Sequence, residues 1–370
     1  MWQKRLMQKR IPDLYLLTLI FVLVILGTLM VYSSSHVWSE YKYGDSYFYV
    51  KRQMIFTVVG IVCMFIITYI SYMNWKKYVN YILISCFILL IIVLIPGIGI
   101  VRGGAQSWIG IGAFSIQPAE FMKLGLILFL AAYFTNKHRY MSTFIHGFFI
   151  PMFLVTISFG LIMVQPDFGT GVVLVATCVL MMFIAGARII YFVYLGIIGL
   201  LGFAYLIISA PYRMSRITSY LNPWEDPLGD GFQIIQSLYA LGPGKLIGAG
   251  FDQSVQKHFY LPEPQTDFIF AIIGEELGFV GGTITILLFF LLCLRGIQIA
   301  LSVQDPFARY VAFGITTMIS IQVVINISVV IGLIPVTGIT LPFLSYGGSS
   351  LTLTLISVGF LLNISKYSEK

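Results

Sequence analysis

The sequence predicts an all-α polytopic membrane protein with about ten transmembrane helices, and three observations support this prediction. Hydrophobic residues make up 58% of the 370 residues, and charged residues make up only 10%. The mean hydropathy is +0.92. Soluble domains carry roughly 25% charged residues, so this chain is too apolar to be one. Finally, apolar stretches of about 20 residues, the length that spans a hydrocarbon core, recur along the chain.

The apolar stretches give ten predicted spans. They cover residues 14–34, 54–73, 79–98, 118–134, 147–164, 171–187, 189–210, 268–294, 311–333 and 349–365. The first follows basic residues as a signal peptide would, but its apolar stretch is too long and no small-residue cleavage site follows, so we expect it to be retained.

One connection is much longer than the others. Residues 211–267 form a loop between the seventh and eighth spans that is rich in Gly, Pro and charge, and residues 233–240 within it are predicted to form a short helix. Long structured loops in compact domains are usually functional. Three shorter loops, at 35–53, 99–117 and 334–348, are predicted on the same side of the membrane.

The basic residues predict the orientation. The segments on the side of the termini hold 13 of the 22 Lys and Arg residues in short connections. Basic residues concentrate in cytoplasmic loops, so both termini are predicted to be cytoplasmic and the loop 211–267 extracytoplasmic. The net charge of +7 comes mainly from the basic residues of these predicted cytoplasmic segments, and nothing in the sequence indicates a nucleic-acid partner.

Two ionisable residues lie near the outer end of the fourth span. Glu120 and Lys123 are three residues apart, on one face of a helix, where they can pair. They form either an internal structural ion pair or a site in which the Lys123 ammonium reaches the phosphate or pyrophosphate of a lipid-linked substrate. The two interpretations are compatible.

Asp267 ends the long loop immediately before the eighth span. Thr266 or Asp267 is a candidate N-cap for that helix. Alternatively, Asp267 is a carboxylate at the membrane boundary that serves as a general base. Glu275 and Glu276 lie deeper in the same span and need partners, for which Lys123 or Asn326 is a candidate.

Other chemistry receives less support. Acidic residues of the outer loops could bind a divalent cation, Mg²⁺ or Mn²⁺, through their oxygens. Their spacing matches no ordered metal site, however, and no cofactor is certain. The four His residues fit neither a zinc protease nor a serine hydrolase. Ser345 and the pair Gly347-Gly348 indicate either main chain that closely approaches a ligand or the turn that starts a helix.

Seven motifs together resemble one known family. They are VYSSS at 31–35, KRQ at 51–53, GGAQSWIGIGAFSIQPAEFMKL at 103–124, QPDFGTG at 165–171, NPWEDPLGDGFQIIQS at 222–237, YLPEPQTDFIFAIIGEELG at 260–278 and PVTGITLPFLSYGGSS at 335–350. The sequence resembles the SEDS peptidoglycan glycosyltransferases, the group of FtsW, RodA and SpoVE, and is most similar to the FtsW and SpoVE branch of Gram-positive spore formers. The resemblance implies a single membrane domain over 1–370 with ten spans.

The resemblance also implies an activity. It is the polymerisation of lipid II at the outer face of the cytoplasmic membrane, with Asp267 as the catalytic carboxylate and a class B penicillin-binding protein as the transpeptidase partner. Many relatives have Arg where this chain has Ser115, so Arg102, Arg213 or Arg216 is a candidate replacement. The predicted substrate-binding residues are Lys123, Glu120, Trp108, Arg213, Arg216, Gln233 and Ser345.

The sequence is also compatible with two other functions. One is a flippase that moves lipid II across the membrane, which would need its charges along a transmembrane path. The other is a non-catalytic scaffold for division or spore-coat assembly, in which Asp267 only caps a helix. The sequence does not decide among division, elongation and sporulation.

Overall fold

The computed structural model describes residues 11–102, 105–111, 114–208, 214, 220–229 and 231–368. Within these residues the chain forms a bundle of α-helices with one small sheet. The helices are α1 (Leu14–Tyr43), α2 (Phe48–Tyr69), α3 (Tyr72–Ile92), α4 (Pro118–Lys137), α5 (Ile150–Val164), α6 (Phe168–Ile184), α7 (Ile189–Ile208), α8 (Phe232–Leu241), α9 (Ile269–Ser302), α10 (Pro306–Val330) and α11 (Gly348–Ser365). The strands are β1 (Gly99–Arg102), β2 (Ala105–Ile111) and β3 (Phe114–Ile116).

Each predicted span overlaps a helix, although several ends differ from the prediction, as in the third span, predicted at 79–98 and observed at Tyr72–Ile92. In the part of the chain that the structure describes, eight helices are long and apolar enough to cross a membrane, and the apolar helices α6 and α7 occupy the other two predicted spans. The polytopic all-α class is therefore confirmed. The short helix α8 confirms the one predicted within the long loop.

The first helix is longer than predicted. Its carboxylate N-cap, Asp13, accepts the Leu16 N–H at 2.8 Å, and the helix ends at Gly44, whose φ of 66° favours glycine. Ser34 and Ser35 lie within this helix, and their hydroxyls donate to carbonyls of the preceding turn, as Ser35 Oγ does to the Val31 carbonyl at 2.6 Å. The predicted outer loop 35–53 is thus wrong, since most of it is helix.

The predicted loop at 99–117 folds as a small antiparallel sheet of order β1-β2-β3. Ile100 pairs with Trp108, and Gly110 pairs with Ser115. Hydropathy reasoning overlooks such short strands because they are much shorter than a span. The sheet leads directly into α4, where Pro118 occupies the first turn and fits because its missing N–H would have no helical partner there.

Packing brings one end of several helices together. The helix α10 contacts α4, α6, α9 and α11, while α2 packs on α11 and α3 packs on α4. Hydrogen bonds between Gln117 and Asp167, between Asn326 and Asp267 and between Tyr346 and Gln265 place the starts of α4, α6, α9 and α11 at the same end of the bundle as the end of α10. We call this the outer end, following the predicted orientation.

The helix α9 is broken at Gly278, which has φ 66° and ψ −163°. The long outer loop supplies the main-chain hydrogen bonds that the break removes. Ala249 N–H donates to the Glu275 carbonyl at 2.9 Å on one side, and Phe279 N–H donates to the Lys245 carbonyl at 2.9 Å on the other. Irregular main chain at membrane depth is tolerated where protein satisfies it, as here.

The break should require glycine at position 278, and substitution tests this. Gly278→Ala should destabilise the protein by at least about 1–3 kcal/mol, because only glycine adopts this region of φ and ψ without strain and an added Cβ would clash with the Gly248 nitrogen. Thermal unfolding in detergent measures the effect. Gly282 on the same helix is the control, since its added Cβ would meet only the Phe270 ring, at 3.6 Å. Equal melting temperatures for Gly278→Ala and Gly282→Ala would contradict the prediction.

Candidate active site

Asp267 is half-buried and lies just before α9. The residue at the N-cap position is Phe268, and no side chain caps the helix there. The prediction that Thr266 or Asp267 caps this helix is therefore wrong. The Asp267 carboxylate accepts a hydrogen bond from Thr266 Oγ1 at 2.8 Å and forms no ion pair with a described residue.

The surroundings of Asp267 raise the pKa of its carboxyl group. Burial raises the pKa of the Asp267 carboxyl above its ordinary value, and the nearby charge of Glu263 adds to the rise, while the Thr266 hydrogen bond acts in the opposite direction. A carboxylate with a raised pKa is a stronger base. Asp267 is therefore suited to accept a proton from a hydroxyl group.

The predicted pair of Glu120 and Lys123 is confirmed. The Lys123 Nζ lies 2.8 Å from Glu120 Oε1, and both side chains are buried in the first turns of α4. An ammonium group has three donors, so Lys123 keeps donors for a second anion. No hydrogen bond or ion pair joins Lys123 to Asp267 among the described residues.

A second carboxylate lies beside this pair. Asp167 caps α6, where it accepts the Thr170 N–H at 3.2 Å, and Gln117 Nε2 donates to it at 2.5 Å. Burial raises the pKa of the Asp167 carboxyl, and the charge of Glu120 contributes to the rise. The starts of α4 and α6 thus form one polar cluster. Sequence reasoning counted Asp167 only among the acidic residues of the outer loops.

The other predicted substrate residues lie in different surroundings. Trp108 is half-buried in the sheet that precedes α4, and Ser115 is buried in the neighbouring strand. Gln233 lies in α8 and lines a cavity of about 310 Å³ together with Pro262 and Val336. This cavity brings the loop that carries Asp267 next to the segment 334–347.

Ser345 has a role within its own segment. Its hydroxyl accepts the Leu341 N–H at 2.8 Å. The prediction that it binds substrate stays a prediction.

Arg213 and Arg216 lie outside the described residues, as does the side chain of Arg102. Which of them replaces the arginine that many relatives have at the position of Ser115 therefore also stays a prediction.

Glu275 and Glu276 do not contact the partners that the sequence suggested. Glu275 accepts from Ser254 Oγ at 2.5 Å, and Glu276 accepts from Ser33 Oγ at 2.6 Å and lies 3.5 Å from Lys257 Nζ. Lys257 comes from the long outer loop. The two carboxylates therefore hold that loop against α1 and α9, and the prediction of Lys123 or Asn326 as their partner is wrong.

Sequence reasoning gave Asn326 a different role and overlooked Gln53, and both amide side chains bond to the outer segments. Asn326 of α10 bonds to the main chain of Asp267, and Gln53 of α2 bonds to the main chain of Ser345. A polar Asn within an apolar span and the Gln of the KRQ motif were the available signals.

No group of three or more His, Cys, Asp or Glu side chains able to hold a metal ion occurs in the described residues, and the Mg²⁺ or Mn²⁺ hypothesis stays a prediction.

Comparisons with known sequences agree with this architecture. The family model for FtsW, RodA and SpoVE, described as cell cycle protein, matches residues 13–370. Stage V sporulation protein E of Bacillus subtilis (strain 168) is 59% identical over 362 residues, which cover 98% of this chain and 99% of that protein. The probable peptidoglycan glycosyltransferase FtsW of Geobacter metallireducens is 42% identical, over 95% of this chain and 94% of its own length.

Solved structures show the same fold. A chain from a structure described as "Structural coordination of polymerization and crosslinking by a peptidoglycan synthase complex" has a TM-score of 0.77 and 30% identity, covering 96% of this chain and 97% of that one. The rod shape determining protein RodA of Thermus thermophilus has a TM-score of 0.71 and 25% identity, covering 97% of this chain and 98% of that one.

These matches confirm the predicted family. The predicted enzyme class, peptidoglycan glycosyltransferase, is the one that the name of the FtsW relative states. Since the family model covers residues 13–370 and the Bacillus relative is 59% identical, this multi-pass membrane protein belongs to the FtsW/RodA/SpoVE family.

Proposed function

We propose that this chain is a peptidoglycan glycosyltransferase that polymerises lipid II into glycan strands at the outer face of the cytoplasmic membrane. The observation that carries the proposal is Asp267, a half-buried carboxylate that neither caps a helix nor pairs with a described cation. The similarity to a stage V sporulation protein supports a role in wall synthesis during sporulation.

In the proposed reaction the 4-hydroxyl of the GlcNAc of one lipid II attacks the anomeric carbon of the MurNAc of another. A new C–O bond forms on the face opposite the leaving group, so the configuration at that carbon inverts. The bond to undecaprenyl pyrophosphate breaks, and its electron pair leaves with the pyrophosphate oxygen. Asp267 takes the hydroxyl proton, a role that contributes about 10²–10⁴-fold in rate.

The leaving pyrophosphate needs a cation. Lys123 is the candidate, because its ammonium uses one donor on Glu120 and has others for a phosphate oxygen. Glu120 would hold the ammonium in place. Trp108, in the sheet next to the start of α4, would pack on sugar or lipid, and Gln233 would contact substrate in the cavity beside the Asp267 loop.

The proposed function also includes a transpeptidase partner. The similar solved chain comes from a complex described as coordinating polymerization and crosslinking. We therefore propose that a class B penicillin-binding protein joins the strands that this chain makes. Both termini are placed in the cytoplasm on the distribution of basic residues.

The test is glycan synthesis by purified protein. Labelled lipid II is incubated with the protein and its candidate transpeptidase, and products are separated by gel electrophoresis. Moenomycin is present, to block contaminating class A enzymes. Long glycan products are expected. If no polymer forms while lipid II crosses the bilayer of proteoliposomes, the protein is a flippase; if neither occurs, the scaffold interpretation holds.

One structural observation already favours the enzyme over the flippase. The deepest acidic side chains, Glu275 and Glu276, bond to Ser254, Ser33 and Lys257 and are fully buried. Charges held in this way stabilise the loop and do not line an open path for a lipid headgroup.

A further inference from the structure

Asn326 is a buried amide in α10, 1% exposed, that joins two separate segments of the outer end. Its Nδ2 donates to the Asp267 carbonyl at 2.7 Å and to the Ile339 carbonyl at 2.8 Å. The amide orientation follows from this geometry, because an oxygen in that place would face two carbonyl oxygens. One side chain thus fixes the main chain of Asp267 to the segment 334–347.

The segment 334–347 is itself held firmly. Gln53 Nε2 donates to the Ser345 carbonyl at 3.3 Å, and Tyr346 N–H donates to the Gln265 carbonyl at 2.7 Å. The short stretch before α9 is therefore tied to this segment through Tyr346 and through Asn326. The Asn326 hydrogen bond is made to Asp267 itself.

We propose that Asn326 is a positioning residue for Asp267, an inference that rests on the proposed function. The Asp267 carboxylate has a side-chain hydrogen bond from the adjacent Thr266, which moves with the same stretch of chain. Asn326 instead ties the Asp267 main chain to a different helix. A base must stay within hydrogen-bond reach of the attacking hydroxyl, and a misplacement of about 1 Å can lower a rate about 100-fold.

A purely structural role is the competing explanation, and the chain offers a matched control. Asn363 in α11 is also 1% exposed, and its Nδ2 donates to the carbonyls of Thr68 at 2.7 Å and Ile70 at 2.8 Å. It lies at the opposite end of the bundle. Asn363 makes more hydrogen bonds than Asn326, because its Oδ1 also accepts the Tyr72 N–H at 3.0 Å, so Asn363→Leu should lower stability at least as much as Asn326→Leu.

The experiment compares Asn326→Leu with Asn363→Leu in the lipid II polymerisation assay, over a range of lipid II concentrations. Both variants should melt at reduced temperatures, and Asn363→Leu should be destabilised at least as much as Asn326→Leu. Asn326→Leu should lower kcat about 10–100-fold with KM unchanged, because positioning affects the reaction and not substrate binding. Asn363→Leu should keep the wild-type kcat.

A wild-type kcat in folded Asn326→Leu, or an equal fall in kcat for both variants, overturns the inference. If Asn326→Leu does not fold, Asn326→Ser decides, since a serine hydroxyl is too short to bond both carbonyls. A reduced kcat in that variant supports positioning, and an unchanged kcat refutes it. Failure of the wild-type protein to polymerise would instead refute the proposed function, and with it this inference.

Discussion

Asp267→Asn is expected to lower the rate of lipid II polymerisation by about 10²–10⁴-fold, the usual contribution of a general base. Asparagine has nearly the shape of aspartate and keeps the Thr266 hydrogen bond, but it cannot accept the hydroxyl proton. The measurement is the initial rate of glycan formation by purified wild-type and variant proteins, each assayed with the candidate transpeptidase. A folded Asp267→Asn protein with the wild-type rate would show that the base lies elsewhere.

The same substitution should leave stability unchanged or raise it. The pKa of Asp267 in the folded protein is raised, so the folded state holds the proton more tightly than the unfolded state does. That stabilisation is complete at low pH and is lost as the pH rises through the folded pKa. At neutral pH the variant lacks the penalty of ionising a half-buried carboxylate. A melting temperature well below wild type would mean that activity was lost through unfolding.

Glu263→Gln is the control for Asp267→Asn. Glu263 is an exposed carboxylate four residues earlier in the same loop, and its charge contributes to the raised pKa of Asp267. The variant should retain polymerisation at neutral pH. With one negative charge removed, the pKa of Asp267 should fall, so the acid limb of the pH–rate profile should move to lower pH. A shift to higher pH would contradict the assignment of Asp267 as the base.

Lys123→Met is the second prediction with a large expected effect. It leaves the buried Glu120 carboxylate without its partner, which lies 2.8 Å away in the wild-type protein. Breaking a buried pair by removing one partner costs about 3–5 kcal/mol, so the melting temperature should fall clearly. The polymerisation rate should also fall at least about 10–100-fold, because the leaving pyrophosphate loses its cation. Thermal unfolding and the glycan assay measure the two effects separately.

The double variant Glu120→Gln with Lys123→Met separates structure from catalysis. It replaces the pair with neutral side chains of similar volume, so most of the stability should return. A hydrogen bond to a charged group contributes about 1.5–3 kcal/mol, so the rate should stay about 10–100-fold below wild type. If the double variant polymerises at the wild-type rate, the pair is only structural and another cation binds the pyrophosphate.

Local chemistry explains which parts of the site could be predicted. The pairing of Glu120 with Lys123 follows from a separation of three residues on a helix, and the structure confirms it. The position of Asp267 just before a span follows from hydropathy. The partners of Glu276 could not be predicted, because Ser33 lies 243 residues away in the chain and Lys257 belongs to an irregular loop.

The sequence by itself determined the ten spans, the long loop with its short helix, and the family. The physical reason is that lipid excludes unpaired main chain, so length and hydropathy identify membrane helices directly. Tertiary structure alone decided the break at Gly278, the sheet before α4 and the two bonds that Asn326 makes to Asp267 and Ile339. The break and the Asn326 bonds depend on polar groups whose partners lie up to 59 residues away in the chain, and the strands of the sheet are too short for hydropathy to reveal.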